Sequence, residues 1–378
     1  MLVISEPTRT FVRIRRPVHP YEVVDVDTYE KNAYAPQPHA GVEIVVEPSV
    51  DNPPLSPPTT TYTPPATRHV VDVQNPVDES VASFYTDHVF NSAMPRKERG
   101  YASQQVVWDR LGAYVVDDVL QGYNASLLCF GPPGSGKTYT MFGSTPPDGS
   151  MLCKSSKEPL NRDAGLLPRF CRGLFAGIAQ RKEESKNDSE NKDEREEGEE
   201  GEEETRRGGV VEYLVELSAY EIRSEAVYDL LNPADHDVQI PCEIGQHPKM
   251  GVYVRNLLSI ACDTAEKLME VMEAARATRA TTSLFRGTMD EGGQDHAVFM
   301  CTVTRRESVS EKEDPTNMNG FVSRATFVDS ASTCDRSLAM LDARSDRMYE
   351  QYQGHRSWET MSRCVDMLSE RTMAHSSS

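Results

Sequence analysis

The chain has 378 residues, 38% of them hydrophobic, which is length for one large domain or two ordinary ones, with a core interrupted by segments that do not fold. No run of about 18 apolar residues occurs, which argues against a membrane span, and the N-terminus "MLVISEPTRTFVRIRRP" lacks the basic-then-apolar order of a secretory signal. The formal net charge of −19 excludes a nucleic-acid footprint, which is basic. The eight cysteines, scattered from Cys129 to Cys364 without a CxxC pair, read as reduced thiols rather than metal ligands.

In chain order, "RTFVRIRR" at 9–16 has the β-branched and aromatic content of a strand, and Pro17 and Pro20 end it. Residues 31–80 include "PPLSPPTTTYTPPATR", too rich in proline for helix or interior strand, and read as a disordered or extended insert. "ASFYTDHVF" at 82–90 returns to strand composition. Residues 102–121 place Val106, Val107, Leu111, Val115 and Val119 at helical spacing, and Gly122 supplies a C-cap. "ASLLCFG" at 125–131 reads as a short buried strand, and a helix is expected near Gly136. "AGLLPRFCRGLFAGIAQ" at 164–180 reads as a helix with Pro168 in its first turn. Residues 181–208 follow. Within them, 193–204 hold nine acids and one base, so this stretch reads as a solvated, disordered loop. A long strand over 210–222, an amphipathic helix over 264–280 and two further strands, "AVFMCTVTRRE" and "NGFVSRATFVDS", complete the pattern. Strands interspersed with helices predict an α/β fold, a mixed sheet covered by helices on both faces.

Gly131, Pro132, Pro133, Gly134, Ser135, Gly136, Lys137 and Thr138 spell a phosphate-binding loop, G-x-x-x-x-G-K-[ST]. Glycine lets the backbone wrap closely around phosphate oxygens with several N–H groups pointing inward. The helix that follows turns its positive end to the anion. Lys137 can reach the β and γ phosphates and Thr138 can hold magnesium. A strand before the loop and a helix after it make a chance glycine turn a poor explanation.

The flanks of the loop carry a resemblance. "GYN" at 122–124 and "YTMFG" at 139–143 resemble the kinesin motor domain, although Pro132-Pro133 stand where that family has Gln-Thr. "FYTDHVF", "GLLPR" at 165–169, "AYEIRSEAVYDLLNP" at 219–233 and "PKMGVYVRNL" at 248–257 resemble further kinesin motifs in the family's order. "RSWETMSRCVDML" at 356–368 resembles a later helix more weakly. The resemblance implies a kinesin-type nucleotide fold and one motor domain over 1–378, incomplete at its C-terminus and interrupted by the inserts at 31–80 and 181–208. It implies ATP or ADP with Mg2+ as cofactors, Arg16 and Pro17 lining the base, and Tyr139 beside the loop. It also implies microtubules as partner and a cytoplasmic, cytoskeletal location.

The match weakens at the two γ-phosphate sensors. Where the family has NxxSSRSH, this chain has "MDEGGQDH". Gly292 and Gly293 replace the serines, Gln294 the arginine and Asp295 the last serine, and only His296 remains. Where the family has DLAGSE, this chain has "DSASTC". Asp329 remains as a sensor acid able to hold magnesium through water, Ser332 replaces the glycine, and Cys334 replaces the glutamate. Gln294 and Cys334 do not form the Arg–Glu pair that closes the family's pocket. Phosphoryl transfer rests on positioning and electrostatics, so these losses predict slow or absent hydrolysis. Asp329, Thr333 and Glu291 are the candidate catalytic groups of a divergent but active alternative.

On the track side, residues 334–378 hold six arginines and no lysine against seven acids, which is no basic patch. A non-motor module that partners microtubules or other kinesins is therefore a second reading. A ring-forming AAA-type ATPase is a third, but it requires paired acids at a strand end, which "FVDSAS" does not supply.

Overall fold

The computed structural model describes residues 11–15, 69–74, 80–131, 135–144, 159–196, 211–223, 225–232, 240–248, 251–285, 295–307 and 319–331, and six positions between 356 and 367. The chain divides into two compact units, one of Met1–Ser103 with Arg363–Ser378 and one of Gln104–Ser362.

In the first unit, β1 (Phe11–Arg15) pairs parallel with β4 (His88–Ser92), Phe11 opposite His88 and Arg15 opposite Ser92. The Phe11 ring stacks on Phe90 with centroids 6.0 Å apart, and Arg13 donates to the Ser92 hydroxyl at 3.1 Å. β2 (His69–Gln74) pairs antiparallel with β3 (Val81–Thr86). β2 corrects the expectation of disorder across the whole of 31–80. Its sequence, "HVVDVQ", is free of proline and β-branched, and β3 provides the partner such a segment needs. The rest of that stretch, apart from Ser80, lies outside the described residues.

The second unit opens with a helical stretch. α1 (Gln104–Val107) runs through a π-helical turn, Trp108–Gly112, into α2 (Ala113–Leu120). The turn sits where the Trp108 ring presses on two glycines. A Cβ at Gly112 would stand 2.2 Å from that ring and one at Gly173 3.0 Å, so the indole occupies space that only glycine leaves. There follow β5 (Ala125–Cys129), α3 (Lys137–Phe142), α4 (Leu166–Glu196), β6 (Val211–Arg223), β7 (Ala226–Asp229), β8 (Ile244–His247), β9 (Gly251–Val254), β10 (Ile260–Cys262), α5 (Ala265–Phe285), β11 (His296–Glu307) and β12 (Asn319–Asp329).

The main sheet has the order β10-β6-β11-β12-β5, with β7 also on β6. It is mixed. β6, β11 and β12 are antiparallel neighbours, and β5 joins β12 in parallel, with Cys129 opposite Asp329. Register partners share a face. The face carrying Leu217, Ala219, Phe299, Cys301, Phe327 and Leu127 is buried. On it Phe170 of α4 meets Phe327 edge-on at 4.8 Å, Phe142 of α3 meets Phe299 at 5.2 Å, and the Ser323 hydroxyl donates to the Val119 carbonyl of α2 at 2.6 Å. Each buried phenylalanine contributes about 1.5–3 kcal/mol. On the opposite face Leu214 and Val322 are exposed. The helices whose packing on the sheet is described all lie on the buried face. β5 is the outer strand among the described residues, and the expectation of a buried strand there holds for Leu127, whereas Leu128 is 37% and Phe130 59% exposed.

α4 corrects a second expectation. The helix continues through the charged stretch to Glu196 rather than ending before Arg181. Glu, Lys, Arg and Gln are strong helix formers whatever their hydrophobicity, and Gln180 donates to Glu184 one turn on at 2.9 Å. Residues 197–208 lie outside the described residues. No described helix is long and apolar enough to cross a membrane.

Candidate nucleotide site

The strands at the parallel seam deliver the site. β5 leads into the glycine loop, and its neighbour β12 ends at Asp329, directly opposite Cys129. Gly131 has φ +147°, and a Cβ there would stand 2.8 Å from the Ser135 hydroxyl. Gly136 has φ +93° and caps α3 at its start. Both glycines are thus required by the turn itself. Pro132, Pro133 and Gly134 lie outside the described residues. α3 has six residues.

Lys137 is buried, and its ammonium donates to the Gly131 carbonyl at 3.0 Å. Burial holds its pKa below the ordinary lysine value. Asp329 and Cys129 pull the other way, and the Arg279 charge adds to the lowering. The Thr138 hydroxyl donates to Asp329 Oδ2 at 2.8 Å, which brings the start of α3 against the end of β12. Tyr139 is tied in through its carbonyl, which accepts from Gln104 Nε2 at 2.6 Å, and through its hydroxyl, 3.3 Å from Asp163.

Arg279 of α5 is the group the sequence reading missed. Its side chain is 11% exposed. One guanidinium nitrogen donates to Asp329 Oδ2 at 2.9 Å and the other to the Asp295 carbonyl at 2.8 Å. It therefore joins the stubs of both sensors, the start of β11 and the end of β12. His296 makes a second join, its Nδ1 accepting the Ala331 N–H at 3.1 Å. Burial lowers the His296 pKa, offset by Asp295 and Asp329 and reinforced by Arg279. Nothing in "ARATRATTS" distinguishes Arg279 from an exposed helical arginine, and only the placement of α5 against the end of β12 brings it in.

Asp329 stands at the end of β12, beside Thr138 and opposite Cys129. Arg16, Pro17, Glu291 and Thr333 lie outside the described residues, as do Gly292, Gly293, Gln294, Ser332 and Cys334. The donors expected to hold magnesium fit that role. The Thr138 hydroxyl gives only its proton to Asp329 Oδ2 and keeps its oxygen lone pairs for an ion. Asp329 Oδ1, buried without a hydrogen-bond partner, can accept from a water of the ion's shell.

A family model described as the kinesin motor domain matches residues 53–377. The mouse (Mus musculus) kinesin-like protein KIF14 is 30% identical over 305 residues, 80% of this chain and 15% of that protein. The rice (Oryza sativa subsp. japonica) kinesin-like protein KIN-12E is 32% identical over 231 residues, 61% of this chain and 10% of that protein. The chain therefore matches only a small part of those relatives' lengths. Among solved structures, a KIF14 dimer in a two-heads-bound state, with AMP-PNP and in complex with a microtubule, superimposes with a TM-score of 0.64 at 23% identity. The match covers 98% of this chain and 79% of that one. A KIF14 structure with ADP, also in complex with a microtubule, gives 0.62 at the same identity, over 98% and 81% of the two chains. These structures share the fold, the family model covers most of the sequence, and the chain belongs to the kinesin motor-domain family.

Proposed function

We propose that this chain is a cytoplasmic, cytoskeleton-associated kinesin motor domain that binds ATP or ADP on the 131–138 loop and hydrolyses ATP slowly or not at all. The observation that carries this reading is the contrast at one seam. Lys137 lies over its glycine loop and Thr138 is bonded to Asp329, whereas the sensor sequences lack the serines, arginine and glutamate that would position an attacking water. In this reading the loop N–H groups take the phosphate oxygens, Lys137 exchanges the Gly131 carbonyl for a phosphate, and Arg16 and Pro17 flank the base. Arg279 and His296 hold the two strand ends together but neither presents a base to water. The solved relatives bind AMP-PNP or ADP and sit on microtubules, and we carry both partners over to this chain.

The test measures nucleotide affinity, ATP turnover and microtubule co-pelleting on one preparation. Affinity in the micromolar range with turnover at least about 100-fold below that of an active motor supports the reading. Robust microtubule-stimulated turnover overturns it in favour of the divergent active motor, with Glu291 or Thr333 as replacement groups. Pelleting without nucleotide affinity would instead mark a structural microtubule module.

A further inference from the structure

Resting on the nucleotide reading above, we infer that Gln104 is a positioning residue for the phosphate site. It sets the first turn of α3, and through that turn the reach of Lys137 and Thr138 toward a bound phosphate. Three consecutive residues of the turn each carry a directed tie. The Lys137 ammonium donates to the Gly131 carbonyl at 3.0 Å, the Thr138 hydroxyl donates to Asp329 Oδ2 at 2.8 Å, and the Tyr139 carbonyl accepts from Gln104 Nε2 at 2.6 Å. The first tie is exchanged when Lys137 turns to phosphate, and the second ends on the acid expected to serve the metal. Of the three, the bond from Gln104 involves neither group that meets ligand or ion, so it persists when the site fills.

α3 needs such a tie. Six residues are too few for a helix to hold itself in water, and the apolar contacts of its buried Met141 and Phe142 are non-directional. An amide N–H aimed at a carbonyl does fix direction. Gln104 is 2% exposed, so bulk water does not compete for this bond. It opens α1, and its neighbour Gln105 reaches the other end of α3. Gln105 accepts from Arg169, whose guanidinium also donates to the Ala164 carbonyl at 3.0 Å and the Arg162 carbonyl at 3.1 Å. Ala164 in turn bridges to Gly143, the residue that caps α3. Two adjacent glutamines thus steady both ends of one short helix. The Tyr139 carbonyl also accepts the Gly143 N–H at 2.8 Å, so it keeps a partner when Gln104 is replaced. The loss then falls on placement rather than on an orphaned buried carbonyl. A cation and a hydroxyl preset in this way meet phosphate without first having to be ordered.

The experiment titrates the full chain with a fluorescent ADP analogue in magnesium buffer and displaces the analogue with ADP and with inorganic pyrophosphate. It compares the native chain with Gln104→Leu and Gln104→Glu. In Gln104→Leu we expect ADP and pyrophosphate to weaken by the same factor, about tenfold, with the melting temperature lowered by only about 5 °C or less. A loss of ADP affinity with pyrophosphate unchanged would place the effect at the base and overturn the inference. Affinities within about twofold of native in the folded Leu variant overturn it as well. Gln104→Glu adds a readout that a merely structural part would not move, and it decides alone where the Leu variant does not fold. A carboxylate at this position cannot donate to the Tyr139 carbonyl, whereas its protonated form can, and burial beside a carbonyl raises the carboxyl pKa. Measured against the native chain at each pH, the affinity of Gln104→Glu should be weakest near pH 8.5 and recover most of its deficit by about pH 5.5. A deficit that stays flat across that range overturns the inference while leaving the nucleotide reading standing. No binding of the analogue by the folded native chain overturns the nucleotide reading and this inference with it.

Discussion

The phosphate loop and the sensor segments arise from neighbouring strand ends, yet they answer to different constraints. The loop is held by the fold itself. Gly131 and Gly136 sit at positive φ, and any side chain at Gly131 would strike Ser135. Replacing these residues strains the junction between β5 and α3 whether or not a nucleotide ever binds. The sensor residues are of the other kind. In the resemblance that identifies them, their hydroxyls and charges serve ligand and water rather than the core, and here they are glycine, glutamine and cysteine. What survives beside them has a structural partner: Asp329 with Arg279 and Thr138, and His296 with the Ala331 N–H. On the function proposed above, the site keeps a cradle that the turn at Gly131 and Gly136 requires for folding, and loses hydrolytic chemistry at segments that carry no such requirement.

The hardest blow to that comparison is delivered at Lys137. Lys137→Ala removes the one loop cation and leaves its Gly131 contact to water. We expect nucleotide affinity to fall by about 10³-fold, some 4 kcal/mol, with the melting temperature changed little. Calorimetric titration with ADP reads the first and a thermal melt the second. Affinity that survives this substitution would mean that the glycine loop is a structural turn and no cradle.

Restoring sensor chemistry tests the other half. Gln294→Arg combined with Cys334→Glu returns an Arg–Glu pair to the two sensor sequences. If the missing pair limits turnover, the double variant should raise ATP hydrolysis by about tenfold, with each single change giving little, since either charge alone lacks its partner. An unchanged rate in the double variant would move the defect to the absent hydroxyls at Gly292 and Gly293.

The two regions were also unequally legible in the sequence. The loop is a contiguous string whose spacing carries its own chemistry, so Gly131 to Thr138 could be read without a fold. The strands of the main sheet were legible for a similar reason: β6, β11 and β12 are long β-branched runs. The join at the sensors was not, because it is made by residues 50 positions apart in sequence, Arg279 and Asp329, that only the stacking of α5 against the sheet brings within reach. The strand at His69–Gln74 was hidden by the prolines around it, since a six-residue segment is decided by its pairing partner rather than by its neighbours' composition. The extension of α4 to Glu196 was hidden by weighing hydrophobicity above intrinsic helix preference.

A smaller effect comes from His296. Its folded pKa lies below the ordinary value of 6.5, so folding excludes a proton that the unfolded chain takes up. The sign follows. The stability tied to this group is fully present above about pH 6.5 and is lost as pH falls through the depressed folded value. Protonation also puts a proton on Nδ1 and removes the acceptor for the Ala331 N–H, a hydrogen bond worth about 0.5–1.5 kcal/mol. Melting curves from pH 8 to pH 5 should therefore fall more steeply for the native chain than for His296→Gln. Parallel curves would show that the join between the sensor stubs does not depend on the neutral imidazole.

The smallest effect is expected where α4 leaves the body of its unit. Among the described side chains Ile178 is its last buried apolar residue, and Arg181, which donates to the Leu120 carbonyl, is its last polar tie to another element. Gln180, Lys182, Glu183 and Glu184 are exposed. Beyond Ser185 the helix has the sequence of a solvated rod, rich in strong helix formers. Replacing residues 186–207 by a short Gly-Ser linker removes that rod and closes a shorter loop, a change that costs a flexible connection well under 1 kcal/mol. The melting temperature should move by no more than about 2 °C, and ADP affinity should stay within about twofold. A loss of several degrees would show that the charged extension packs on the unit, and a change in affinity would tie it to the cradle rather than to solvent.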